Sequence, residues 1–135
     1  AMSDAETSLW EKVRPMMEDG GLRPPRVREI AEDLNQTPQV IERFLFRAAR
    51  LGIVHAVAKN RFYPPATMRD MGRLTERLAA KSEDGIFSVA DFRDATDIGR
   101  NVAIQVLEYF DRSGFTQRIG EGRKIRNPVD EVFSD

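Results

Sequence analysis

Apolar residues recur at helical spacing in two stretches that open the two halves of the chain. They are Leu9, Val13 and Met16 or Met17 in the first, and Met71, Leu74 and Leu78 in the second. Each set draws one apolar stripe down a helix. Pro15 falls inside the first stretch and predicts a kink or break, because proline removes an intrahelical donor. Shorter helices are expected over residues 26–34 and 89–95. A third helix in each half is the clearest: residues 37–51, with Thr37 as cap and Pro38 in the first turn, and about 99–113. Gly52 and Gly114 stop these helices. Beyond each glycine the period changes to that of a strand. IVHAV, a polar turn at 58–60 and RFY in one half match FTQRI, a turn at 120–122 and RKI in the other, which predicts a β-hairpin in each.

The two halves are also similar residue by residue. A shift of 62 positions lays residues 27–63 over 89–125 without a gap. Val27 meets Val89, Val40 meets Val102, Leu45 meets Leu107, Arg50 meets Arg112, Gly52 meets Gly114 and Arg61 meets Arg123. The unbroken register reads as one module duplicated, against chance likeness between two helix-turn-helix stretches. Three helices followed by a two-stranded hairpin is the winged-helix variant of the helix-turn-helix. The expected fold is mainly α with small β-hairpins, an α+β chain of two tandem winged-helix domains over residues 1–65 and 66–135. IFSV at 86–89 can add a third strand to the second sheet, whereas Pro24 and Pro25 at the matching place in the first cannot extend a ladder. Pro64 and Pro65 end the first wing, and Thr67 with Asp70 reads as the cap of the next helix. So short and stiff a connection predicts a limited range of module orientations.

Composition narrows the chemistry. The chain has 135 residues, 41% hydrophobic and 32% charged, the make-up of an ordinary globular protein. No stretch has the length of a membrane span or the form of a secretory leader, which predicts a cytoplasmic protein with no membrane partner. It has no Cys and a single His, His55, which removes thiolate zinc sites, cysteine nucleophiles and most triads. His55 falls in a wing strand and reads as an ordinary surface or half-buried residue. No GxxxxGK[ST] phosphate cradle occurs. Carboxylate pairs such as Glu32 with Asp33, or Asp91 with Asp94, lie among arginines on short helices and read as solvated faces. An enzyme is not expected, and neither a metal nor a cofactor.

The 21 basic and 22 acidic residues give a formal charge of −1, yet the charge is segregated. Residues 98–126 hold Arg100, Arg112, Arg118, Arg123, Lys124 and Arg126 against Glu108, Asp111 and Glu121, a local excess of three positive charges. That excess falls where a winged helix presents its recognition surface. The start of the third helix differs between the modules. Thr37 can cap its own helix; the aligned Gly99 has no side chain to do so. The free N–H groups, at the positive end of the helix dipole and flanked by Arg100 and Asn101, can take a phosphate. The alternative is that Gly99 only permits an unusual turn and Arg100 is merely solvated. Val102, Ala103, Val106, Leu107 and Phe110 have core spacing; Tyr109 either packs or stacks on a base.

The segment at 87–126 resembles the C-terminal winged helix of the bacterial selenocysteine-specific elongation factors, the SelB family. The motifs that carry the likeness are FRD at 92–94, IGR at 98–100, LEYFDR at 107–112 and GFTQR at 114–118. The first module is similar to the family's penultimate winged helix, less sharply. Where the family commonly places a basic residue after IGR, this chain has Asn101. The resemblance implies the RNA-binding end of a translational GTPase that delivers selenocysteinyl-tRNA to the ribosome. It implies a monomer whose last winged helix grips an mRNA hairpin, the selenocysteine insertion sequence (SECIS), to recode UGA. GTP and magnesium would belong to an N-terminal part of that factor outside this chain. Ala1, and with it Met2, reads as a cloning remnant, with a native start at Met2 the alternative.

The deep groove of an A-form stem does not admit a helix, so recognition is expected at a loop or bulge. The RNA-binding set expected on this resemblance is Ile98, Gly99, Arg100 and Asn101 at the helix start and Gln117, Arg118, Arg123 and Lys124 on the wing, with Arg93 in support. Two other readings stay open. One is a winged-helix regulator of double-stranded DNA. Against it, the third helix of the first module carries Ile41, Glu42, Phe44, Leu45 and Phe46, with Arg43, Arg47 and Arg50 toward its far end. The other is a protein-interaction spacer, a role that suits the first module.

Overall fold

The computed structural model describes residues 1–134. The backbone divides into two compact units, Ala1–Thr67 and Met68–Asp135. The first opens with α1 (Asp4–Asp19), whose Ser3 cap and Glu6 form a reciprocal capping box, satisfying two otherwise orphaned donors. The helix runs through Pro15, so the expected break does not occur. Pro15 lies on the exposed side while Val13 and Met17 are buried, and their packing outweighs the one donor lost. Next come α2 (Val27–Asp33) and α3 (Pro38–Arg50). The wing follows as β1 (His55–Ala58) and β2 (Arg61–Tyr63), antiparallel with a bulge between Ala56 and Ala58. Ile30, Ile41, Leu45 and Phe62 meet Val13 and Met17 in one core, and Phe46 packs edge-on to Phe62 with ring centroids 5.0 Å apart.

The second unit repeats this plan. Helix α4 (Pro65–Ala80) begins two residues before the expected Thr67 cap, because proline tolerates the first helical position. It is followed by α5 (Val89–Thr96), α6 (Arg100–Arg112), β3 (Thr116–Ile119), β4 (Gly122–Ile125) and a terminal turn of helix, α7 (Val129–Val132). The third strand expected at 86–89 is reduced to one bridge, in which Phe87 and Arg123 exchange both backbone hydrogen bonds at 2.9 Å. Phe110 sits at the centre of the core, with Phe92, Phe115 and Phe133 within 4.9–6.2 Å of its ring centroid. Phe133 is delivered by α7, which the sequence pattern did not reveal. Its first amide donates to Glu76 Oε2 at 3.1 Å, and Val129 packs onto α4 where Gly72 leaves room.

Candidate nucleic-acid interface

The site is built on the turn between α5 and α6. Helix α5 is fixed at its start by a Ser88/Asp91 capping box and ends at Asp97 with φ 55°. The aligned residue of the first module, Asn35, has φ 53°. Asp and Asn are the side chains that visit this left-handed region most readily, so both turns use one device. The next position separates them. Ile98 is 1% exposed and anchors the second turn in the core, whereas Gln36 is exposed.

Gly99 follows with φ 84° and ψ 159°, a conformation essentially restricted to glycine. No side chain caps α6, while Thr37 Oγ1 accepts from the Val40 amide at 3.3 Å at the start of α3. The first-turn donors of α6 are therefore without a side-chain acceptor, at the positive end of the dipole. Arg100 and Asn101 are exposed there, and their side chains make no hydrogen bond or ion pair among the described residues.

The wing divides the remaining expected residues. In the β3–β4 ladder Gln117 faces Lys124 and Arg118 faces Arg123. Directly opposed residues share a face and successive residues alternate. Gln117 and Lys124 therefore occupy one face of the hairpin, Arg118 and Arg123 the other. Lys124 lines a cleft that also holds Glu76 and Asp84. Arg118 is exposed, with no side-chain partner among the described residues.

Arg123 is placed quite differently from the expected surface contact. It is 4% exposed. Its Nε donates to both Asp111 carboxylate oxygens at 3.1–3.2 Å and its Nη2 to Oδ2 at 3.0 Å. Thr116 Oγ1 adds a bond to Oδ1 of the same Asp111 at 2.7 Å. This knot ties both wing strands to α6. The correction has a simple cause: a buried guanidinium already bonded by two nitrogens to a half-buried carboxylate has little left for a phosphate. No local spacing relates Asp111 to Arg123, so its role was invisible in the pattern. Arg93 is half-buried and shares its Nε with Asp94 at 3.2 Å, which reduces its charge on the surface.

Tyr109 packs: it stacks on Phe133 with centroids 6.4 Å apart, beneath the Arg112 guanidinium at 5.5 Å. Burial raises its pKa from the ordinary tyrosine value. Of the expected residues, Arg100 and Asn101 at the helix start and Gln117, Arg118 and Lys124 on the wing face solvent, joined by Arg126 just after β4, whose side chain has no partner among the described residues.

Fold and site together define a tandem winged-helix protein whose second module presents a third helix with no side-chain cap and an exposed arginine, Arg100, in its first turn. Residues 2–63 match the family model described as selenocysteine-specific elongation factor, winged helix domain, and residues 79–125 match that described as elongation factor SelB, winged helix. The chain is 35% identical over 127 residues to the selenocysteine-specific elongation factor of Escherichia coli (strain K12), covering 94% of this chain and 20% of that protein. The Haemophilus influenzae protein of the same description is 32% identical over 122 residues, covering 90% and 19%. The chain thus spans about a fifth of the length of these relatives. It also resembles the solved mRNA-binding domain of elongation factor SelB from E. coli in complex with SECIS RNA. The TM-score is 0.83 at 34% identity, over 93% of this chain and all of that one. The chain belongs to the SelB family of selenocysteine-specific elongation factors, as its winged-helix part and not a catalytic domain. No helix among the described residues is long and apolar enough to cross a membrane.

Proposed function

We propose that the chain binds the SECIS hairpin of an mRNA through its second module, as the RNA-binding part of a factor that recodes UGA. The observation that carries this reading is the start of α6. There the uncapped amides, the glycine-only turn and the unpaired Arg100 converge on one exposed spot, beside a family relative solved in complex with such an RNA. Arg118 and Arg126 extend the positive surface onto the wing. The unstacked bases of a hairpin loop reach the helix start, and the arginines hold the flanking backbone. In this reading GTP and magnesium, the selenocysteinyl-tRNA and the ribosome are handled by the remainder of a cytoplasmic factor. This reading assigns no nucleotide to the chain, whose sequence has no GxxxxGK[ST] cradle.

The test is titration of the chain against a SECIS-type RNA hairpin and a DNA duplex of equal length. Arg100→Ala and Arg118→Ala should each weaken hairpin binding and flatten the salt dependence by roughly one unit per lost phosphate contact. Equal or tighter binding to the duplex, or an unchanged affinity and salt slope in both variants, would overturn the proposal.

A further inference from the structure

The first module holds a buried arginine without a carboxylate partner. Arg61 in β2 is 5% exposed. Its Nη1 donates to the Pro24 carbonyl, and its Nε is buried with no hydrogen-bond partner among the described residues. The aligned Arg123 of the second module has Asp111 to neutralise it; Arg61 pairs with no acid among the described residues. A buried unpaired charge is costly, and an anion seated in a cleft that the guanidinium lines would offset it.

The surroundings say which ligand. Arg61 lines a cleft of about 670 Å³ together with Arg23 and Arg26. Burial pulls the pKa of Arg61 below the ordinary arginine value, and the Arg23 and Arg26 guanidiniums act in the same direction against an opposing pull from Tyr63 and Glu29. Of the acids in the cleft, Glu29 is already taken by Arg26 through its backbone amide at 2.8 Å and its Nε at 3.2 Å. Asp19 and Asp33 also line the cleft, without bonding to any arginine in it among the described residues. The arrangement is rigid, because β2 is stitched to the preceding segment. The Tyr63 hydroxyl donates to the Leu22 carbonyl at 2.7 Å, and the Val27 amide donates to the Asn60 carbonyl at 2.9 Å. The second of these bonds sets the wing turn, with the exposed Lys59, beside the start of α2 and Arg28.

We infer that this cleft is a phosphate site in which Arg61, Arg23 and Arg26 grip one phosphodiester of an RNA backbone, with Lys59 and Arg28 alongside. Guanidinium forks match phosphate oxygens, and flanking cations suit a polyanion that continues past the site. The first module then makes its own RNA contact instead of only spacing the second. This extends the RNA reading proposed above to a separate surface.

The test follows the Arg61 Nε–Hε resonance of the whole chain by NMR, assigned through Arg61→Met. Inorganic phosphate, oligouridylate and an oligoglutamate peptide are titrated into the wild type and into Arg100→Ala. The proposal expects a saturable shift with phosphate and a tighter one with oligouridylate, the same in both chains. Arg23→Gln, an exposed change that leaves the fold alone, should weaken oligouridylate at this resonance by about three-fold, and Arg61→Met, followed at the backbone amides of Arg23 and Arg26, should weaken phosphate binding by about ten-fold. Three outcomes overturn it: no shift with either phosphate or oligouridylate, a shift with phosphate alone, or oligoglutamate binding as tightly as oligouridylate. Loss of the α6 surface assignment would show instead as unchanged hairpin affinity in Arg100→Ala, with the Arg61 resonance still responding.

Discussion

Arg123→Ala separates structural from recognition arginines. The substitution removes three charge-assisted hydrogen bonds to Asp111 and leaves that carboxylate, with a side chain 23% exposed, bonded only to Thr116 among the described residues. Breaking a buried pair from one side costs about 3–5 kcal/mol; the partial exposure of Asp111 reduces this to about 2–4 kcal/mol. A module of this size has roughly 3–10 kcal/mol of stability in total. The loss therefore corresponds to a fall in Tm on the order of 10–25 °C. Thermal unfolding by circular dichroism, with hydrogen exchange of the β3 and β4 amides, reads it directly. Asp111→Ala should cost a similar amount. The double variant should cost less than the two single losses combined, since neither charge is then left alone. A Tm within a degree or two of wild type, together with reduced hairpin affinity and a smaller salt slope, would refute the reasoning and return Arg123 to the RNA surface.

Gly99→Ala forces a side chain into φ 84°, ψ 159° and should destabilise the second module by about 1–3 kcal/mol, with hairpin affinity falling further than in Arg100→Ala as the helix start shifts. Gly72→Ala, in an exposed helix, would stabilise through propensity, but here the new Cβ would lie 2.3 Å from Val129 Cγ2. Overpacking should win, with a net loss of about 1–2 kcal/mol by denaturant unfolding, and Val129→Ala in the same chain should recover part of it. Glu6 and Glu29 are held below the ordinary glutamate value of 4.5, first by the backbone amides of Ser3 and Arg26 and then by the Arg47 and Arg26 side chains. Their folded pKa values are depressed, so their contribution is fully present above about pH 5 and is lost as pH falls through the lower folded values. NMR-detected melting of the first module should show Tm falling over that acid range, and Glu6→Gln with Glu29→Gln should flatten the fall.

The module plan was legible because its signals are local. Stripes such as Leu9 to Met17, the caps at Thr37 and the stops at Gly52 and Gly114 depend on a few neighbouring residues, and those elements form where the pattern puts them. Pro15 was misread because a local penalty was set against packing that the pattern does not show. Helix α7 was missed because four residues carry no usable period, and it exists through Val129 on Gly72 and Phe133 among the core rings.

The candidate site divides along the same line. Ile98, Gly99 and Arg100 could be read in sequence, since an uncapped helix start after a glycine is a property of adjacent residues. On the wing, residue type alone put Gln117, Arg118, Arg123 and Lys124 on one surface, and only the β3–β4 register parts them onto two faces. Arg61 and Arg123 align in sequence and are both buried arginines in the second strand of a wing. By itself the sequence determined that two winged-helix modules would form and that the third helix and wing of the second would carry a local excess of three positive charges. Tertiary structure alone decided that Asp111 neutralises one of these arginines while the other lines a cleft with no acid partner among the described residues. A charge is spent or available according to what lies within a few ångströms of it, and residues 12 positions apart in the chain come that close only through the fold.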